Sequence, residues 1–193
     1  MNRFSILLFS FILISACNKN DDRVQPGPDM KYTDLQQAEV KTGTTQRLDL
    51  DEDGTIDFSL QVILIGDPVA KEDRHTFVAG STIDTYLLAI DNTETGKRLN
   101  KGELIGLVPP GGFEWFQVAR VVMAEKIISE SKPPYWRGEW KDGSHQFLSV
   151  QIGKNGSRYN GWIEISTDTN GERMILHKAA ISKVPYADVR AGY

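Results

Sequence analysis

Phe58-Ser59-Leu60-Gln61-Val62-Ile63-Leu64 sets Phe58, Leu60, Val62 and Leu64 on one side of an extended chain, and Ser59, Gln61 and Ile63 on the other. A period of two belongs to a strand with one buried face, because successive side chains of a pleated strand point in opposite directions. Similar short runs follow at residues 82–90 (TIDTYLLAI), 103–108 (ELIGLV), 146–152 (QFLSVQI) and 161–166 (GWIEIS), and with looser alternation at 173–181 (RMILHKAAI). Turn chemistry falls between them at Asp53-Gly54, Thr95-Gly96, Pro109-Pro110-Gly111-Gly112, Asp142-Gly143, Asn155-Gly156 and Asn170-Gly171. Asp-Gly and Asn-Gly suit hairpins because both residues tolerate positive φ. The pattern predicts an all-β, mainly antiparallel domain, a β-sandwich or jelly-roll-like fold over residues 32–193.

One segment reads two ways. Residues 114–129 (EWFQVARVVMAEKIIS) place Trp115, Val118, Ala119, Val122 and Met123 on one side of a helix, yet Val118, Val122 and Ala124 also suit a long strand. Ala, Met, Glu and Lys favour the helix, whereas Val and Ile favour the strand. The surrounding sheet tips the balance to strand, with one short helix near 114–129 as the alternative.

Immediately before Phe58 lies Asp49-Leu50-Asp51-Glu52-Asp53-Gly54-Thr55-Ile56-Asp57. Carboxylates at alternate positions, with a glycine for the sharp turn, can converge on one hard cation, and oxygen ligands suit Ca²⁺. The segment resembles the DxDxDG loops of EF-hands, dockerins and thrombospondin type 3 repeats. That resemblance implies side-chain ligands from Asp49, Asp51, Asp53 and Asp57 and the backbone carbonyl of Thr55. It departs from the EF-hand at Leu60, which stands where the bidentate Glu would fall, and in flanks that read as strand. The alternative is a hairpin whose carboxylates are solvated. If calcium binds, its expected role is to stiffen a turn and not to do chemistry.

The chain opens with Met1-Asn2-Arg3, then an uncharged apolar run of eleven residues at 4–14, then Ser15-Ala16-Cys17. Eleven residues suit a signal h-region and fall short of the ~20 that a spanning helix needs. Ile14-Ser15-Ala16-Cys17 resembles the lipobox of bacterial lipoproteins, with Ile for the commoner Leu. The resemblance implies a signal peptide over residues 1–16, lipidation of Cys17 and attachment to the membrane, with more than one acyl chain making the anchor stable. Asn18-Lys19-Asn20-Asp21-Asp22 is similar to the surface-export signal of some outer-membrane lipoproteins, which implies an outer-membrane protein displayed at the cell surface. Residues 17–31 carry no apolar periodicity and read as a flexible tether.

Removal of residues 1–16 leaves 177 of 193, enough for one domain with a substantial core. The formal charge of −4 and the lack of a basic cluster argue against nucleic acid as a partner. A single cysteine rules out an internal disulfide and a Cys-based zinc site, and leaves no free catalytic thiol once Cys17 is acylated.

Trp136 and Trp140, beside Arg137, would share one face if that stretch is a strand, which makes them a candidate platform for sugar rings. The alternative is that they are core, as Trp162 is expected to be. His75, His145 and His177 stand apart with no H-x-x-x-H or H-E-x-x-H spacing, and Ser144-His145 lacks a nucleophile elbow. Glu139 with Glu164 or Asp168 is the carboxylate pair that a carbohydrate-active enzyme would need.

A wider resemblance rests on the acidic segment together with Tyr159-Asn160-Gly161-Trp162-Ile163-Glu164-Ile165 and the Arg190-Ala191-Gly192-Tyr193 tail. These are similar to small secreted and lipid-anchored β-proteins carrying a YxGWI strand, a group that implies a fold and no activity. The reading is of a non-catalytic envelope protein that binds a glycan or another envelope protein. A structural or assembly accessory without a small ligand, and a carbohydrate-active enzyme, stand as alternatives.

Overall fold

The computed structural model describes residues 27–90 and 94–193; the signal peptide, Cys17 and most of the tether lie outside them. The strands are β1 (Met30–Val40), β2 (Thr45–Leu48), β3 (Phe58–Asp67), β4 (Glu72–Ser81), β5 (Thr85–Ile90), β6 (Thr95–Gly96), β7 (Arg98–Leu99) and β8 (Leu104–Ile105). They continue as β9 (Phe113–Gln117), β10 (Arg120–Ser129), β11 (Tyr135–Arg137), β12 (Gln146–Lys154), β13 (Ser157–Asp168), β14 (Arg173–Ser182) and β15 (Val189–Arg190). The order across the main sheet is β1-β14-β13-β12-β5-β6-β10-β4-β3-β2, with β11 on β10, β7 on β12 and β9 on β5; β8 and β15 form a small second sheet. Among the described residues every pairing is antiparallel except one parallel bridge, Val122 to Thr95.

The two ends of that path are consecutive in the chain. A tight turn links them, with Thr44 N–H donating to the Lys41 carbonyl at 2.9 Å, and Gln46 Nε2 donates back to the Glu39 carbonyl at 2.7 Å. The sheet therefore curls nearly into a barrel. It is sandwich-like in that opposed strands cover one core: Phe58, Leu60, Phe77, Leu87, Met123, Leu148, Ile163 and Leu176 all meet inside. The other face of β12–β14 is buried as well. There Phe147, Trp162 and Ala180 pack with Leu99, Ile105, Val189 and Ala191 under the 97–106 segment and the C-terminal tail. Trp162 Nε1 donates to the Tyr193 carbonyl at 3.3 Å, and Asn160 Nδ2 to that of Ala187 at 2.7 Å, so the tail is pinned by groups that would otherwise be buried unpaired. Gly161 has no side chain because a methyl there would land on the Ala180 carbonyl and the Ile181 side chain.

The strand reading of residues 114–129 holds, and three details differ from expectation. Among the described residues there is no helix near 114–129. The segment is two strands, β9 and β10, broken at Val118, whose φ of 50° lies in the left-handed region. Thr95-Gly96 is a strand, not a turn. The first strand also begins two residues before Tyr32: Met30 and Lys31 already pair with Ser182 and Ile181.

Candidate cation site at the acidic loop

Residues 49–57 connect β2 to β3, and two buried anchors shape the connection. Leu50 enters the core, and its N–H donates to Asp57 Oδ2 at 2.7 Å; Asp57 N–H donates in turn to the Leu48 carbonyl at 2.8 Å. With its ends closed in this way, the loop folds its own amides onto its carboxylates. Gly54 N–H reaches Asp49 at 2.8 Å, Asp53 N–H lies 3.2 Å from both Asp49 and Asp51, and Thr55 N–H reaches Asp53 at 2.8 Å. Two left-handed residues, Glu52 (φ 60°) and Gly54 (φ 90°), make the turn tight enough for this.

Asp49, Asp51 and Asp57 thereby each offer an oxygen within 4.8 Å of the others, a cluster that could hold a metal ion. The electrostatics fit that geometry. Burial, and then the charges of Asp51 and Asp49, push the Asp57 carboxyl up to about 6 against the pull of the Leu50 and Asp51 amides. Asp53 is held low, chiefly by the Thr55 amide. Repulsion within the cluster is relieved from one side by Lys154 at the end of β12, whose ammonium lies 2.7 Å from Asp51 and 3.8 Å from Asp53. Lys154 had no signal in the sequence, being 103 residues from Asp51. The structure thus brings together three of the four aspartates read as ligands. Asp53 sits at the rim, with one oxygen on the Thr55 amide, and Thr55 itself is exposed.

The aromatic platform is overturned. Trp140 is fully buried in the inner core, its Nε1 donating to the Gly96 carbonyl at 3.0 Å. Trp136 is half-buried against Phe77, ring centroids 5.4 Å apart. The two do not share a strand face because β11 ends at Arg137. Gly138, with φ of 101°, then turns the chain so close to β10 that a Cβ would lie 2.7 Å from the Met123 carbonyl. Arg137 is tied to Glu125 at 2.6 Å. Of the carboxylates considered for sugar chemistry, Glu164 is bonded to His145 and Asp168 to Arg173. Trp162 is core, as its alternation implies.

His145 and His177 are not isolated, since their rings stack with centroids 4.3 Å apart. Sequence spacing carries no sign of this contact, because it depends on an irregularity in β14. No protein-family model, curated protein or solved structure matches this chain.

Proposed function

We propose that this chain is a lipid-anchored protein of the bacterial cell envelope, held by Cys17 in the outer membrane, whose acidic loop binds one structural calcium ion. The convergence of Asp49, Asp51 and Asp57, near the start of β1, carries the calcium reading, and Ile14-Ser15-Ala16-Cys17 supports the anchor. Lys31, the second residue of β1, pairs with Glu52 of the loop at 3.1 Å. Calcium takes six to eight oxygens, so three aspartates supply half a shell; the second oxygens of the carboxylates, Asp53, the Thr55 carbonyl and water complete it. Binding displaces the Lys154 ammonium from Asp51 and stiffens the membrane-proximal end. The ion does no chemistry.

The domain itself is a non-catalytic binding module, and with Trp140 in the core an envelope protein fits better than a glycan as its partner. The β3–β4 hairpin runs away from the acidic loop, its tip about 30 Å off at ~3.3 Å per residue. Near that tip Leu64 is 59% and Val69 94% exposed. Cross-linking in intact cells tests this. Val69→Asp and Leu64→Asp should abolish capture of an envelope protein while leaving the melting temperature within ~2 °C, because surface changes cost little. Retained capture in both variants would end the hairpin assignment. The anchor is tested separately, by labelling of Cys17 with palmitate.

A further inference from the structure

β14 carries a bulge at His177 that both neighbouring ladders skip. Against β13 the register passes from Glu164↔Lys178 to Ile165↔Leu176, and against β1 from Asp34↔Lys178 to Ala38↔Leu176. Leu176 and Ala179 point into the inner core, so His177 and Lys178 both project from the outer face, where Lys178 lies over the Tyr32 ring. Bulges re-aim side chains in this manner. Three partners converge on the re-aimed ring. Gln37 of β1 places Oε1 2.9 Å from His177 Nδ1, Ser166 of β13 places Oγ 2.7 Å from Nε2, and His145, just before β12, stacks on the ring at 4.3 Å. His145 Nδ1 is 2.7 Å from Glu164, and its backbone N–H donates to Ser166 Oγ at 2.9 Å. Gln36, Gln37 and His145 all have left-handed φ (54°, 58° and 50°) without being glycine. Such outliers persist only where surrounding contacts over-determine them.

With Gln37 Oε1 facing Nδ1, that nitrogen donates and Nε2 accepts from the Ser166 hydroxyl, the arrangement of a neutral ring. A second proton on His177 reverses the Ser166 bond and sets a cation against the His145 ring stacked on it. The other charges nearby do not compensate. On β1, the Asp34 carboxylate caps the Gln36 amide and Glu39 is bound by Lys41 and Arg173; on β13, Asp168 is bound by Arg173. On β14 the neighbours are the cations Lys178 and Arg173, and ahead of β12 Asp142 lies 4.0 Å from Lys141. Burial and His145 hold His177 below its ordinary value of 6.5, against the pull of Glu164.

We propose that His177, His145, Ser166 and Gln37 form a proton-operated latch. At neutral pH it clamps edge strand β1, the strand into which the tether runs, onto the bulge of β14; on acidification it lets the 34–38 segment go. The neutral ring's contribution is complete above the ordinary imidazole value and is lost as pH falls through the depressed one. Opening linked to uptake of one proton steepens towards, and does not exceed, about tenfold per pH unit.

Hydrogen exchange of the full chain, corrected for the intrinsic pH dependence of exchange, tests this between about pH 7.5 and 5. Opening of residues 34–38 should rise on acidification without matching opening of β12 and β13. His177→Gln, which keeps a donor and an acceptor but does not titrate, should flatten that response. His145→Gln, which removes a group that holds His177 down, should shrink the response and make it level off at higher pH. A pH-independent 34–38 segment, or a response unchanged in His177→Gln, overturns the proposal. If His177→Gln fails to fold, an unchanged amplitude and levelling-off pH in His145→Gln overturn it equally.

Discussion

Asp57→Asn separates the cost of the acidic loop from its use. Asparagine keeps an oxygen for the Leu50 amide and removes the charge. In calcium-free protein the Asp57 carboxyl is pushed from 3.8 up to about 6, first by burial and then by Asp51 and Asp49. At ~1.4 kcal/mol per unit, holding it ionised at neutral pH costs the fold about 3 kcal/mol. A folded value above the unfolded one means that the contribution to stability is complete below the unfolded value and is lost as pH rises through about 6. The asparagine variant escapes that loss. In EGTA near neutral pH it should melt higher than the parent, by at most ~12 °C given ~2–4 °C per kcal/mol for a domain of this size. The gain should be smaller than that ceiling, because an amide oxygen accepts more weakly than a carboxylate. It should also shrink as the pH is lowered towards 4. Calcium narrows or reverses the difference, since the parent gains about 2.7 kcal/mol at a hundred times its dissociation constant and the variant, one charge short, gains less. Thermal melts followed by circular dichroism, in EGTA and in calcium at two pH values, measure all of this. A variant less stable than the parent in EGTA at neutral pH, or one shifted by calcium as much as the parent, would refute the reasoning.

Trp140→Ala should cost about 3–5 kcal/mol in urea unfolding, the usual range for emptying a buried tryptophan site, and orphan the Gly96 carbonyl; a loss under ~1 kcal/mol would mean that the ring is not core. Gly161→Ala should cost about 3 kcal/mol, because its methyl meets the Ala180 carbonyl, a backbone atom that cannot swing aside, as well as the end of the Ile181 side chain. Soluble yield and the urea midpoint report it. Cys17→Ser should move the protein from the detergent phase to the aqueous phase on Triton X-114 partition, and a variant that stays in detergent would remove the lipid anchor from the account.

Strands with one buried face were legible in the sequence because alternation survives wherever one side meets core, as at Phe58, Leu60 and Val62. Asn155-Gly156 and Asn170-Gly171 likewise sit at the β12–β13 and β13–β14 connections. The alternation at 114–129 fails locally because Val118 adopts a conformation that β-branched residues avoid, splitting one apparent element into two. Trp140 misled because the reading assumed an extended chain through Gly138, where the backbone turns inward. Of the acidic loop, the side-chain pattern was legible; which carboxylates converge depends on Leu50 and Asp57 being buried together, and Lys154 arrives from another strand. The contact between His145 and His177 was not legible at all, since a bulge shifts the facing of β14 by one residue and no periodic rule anticipates where it falls.

The account stands most directly on calcium and the three converging aspartates. Isothermal titration of the mature, metal-stripped chain with CaCl₂ should give one site per molecule, lost in Asp51→Ala. A parent protein that takes up no calcium at millimolar concentration, or an Asp51→Ala protein that binds it as tightly as the parent, would contradict it.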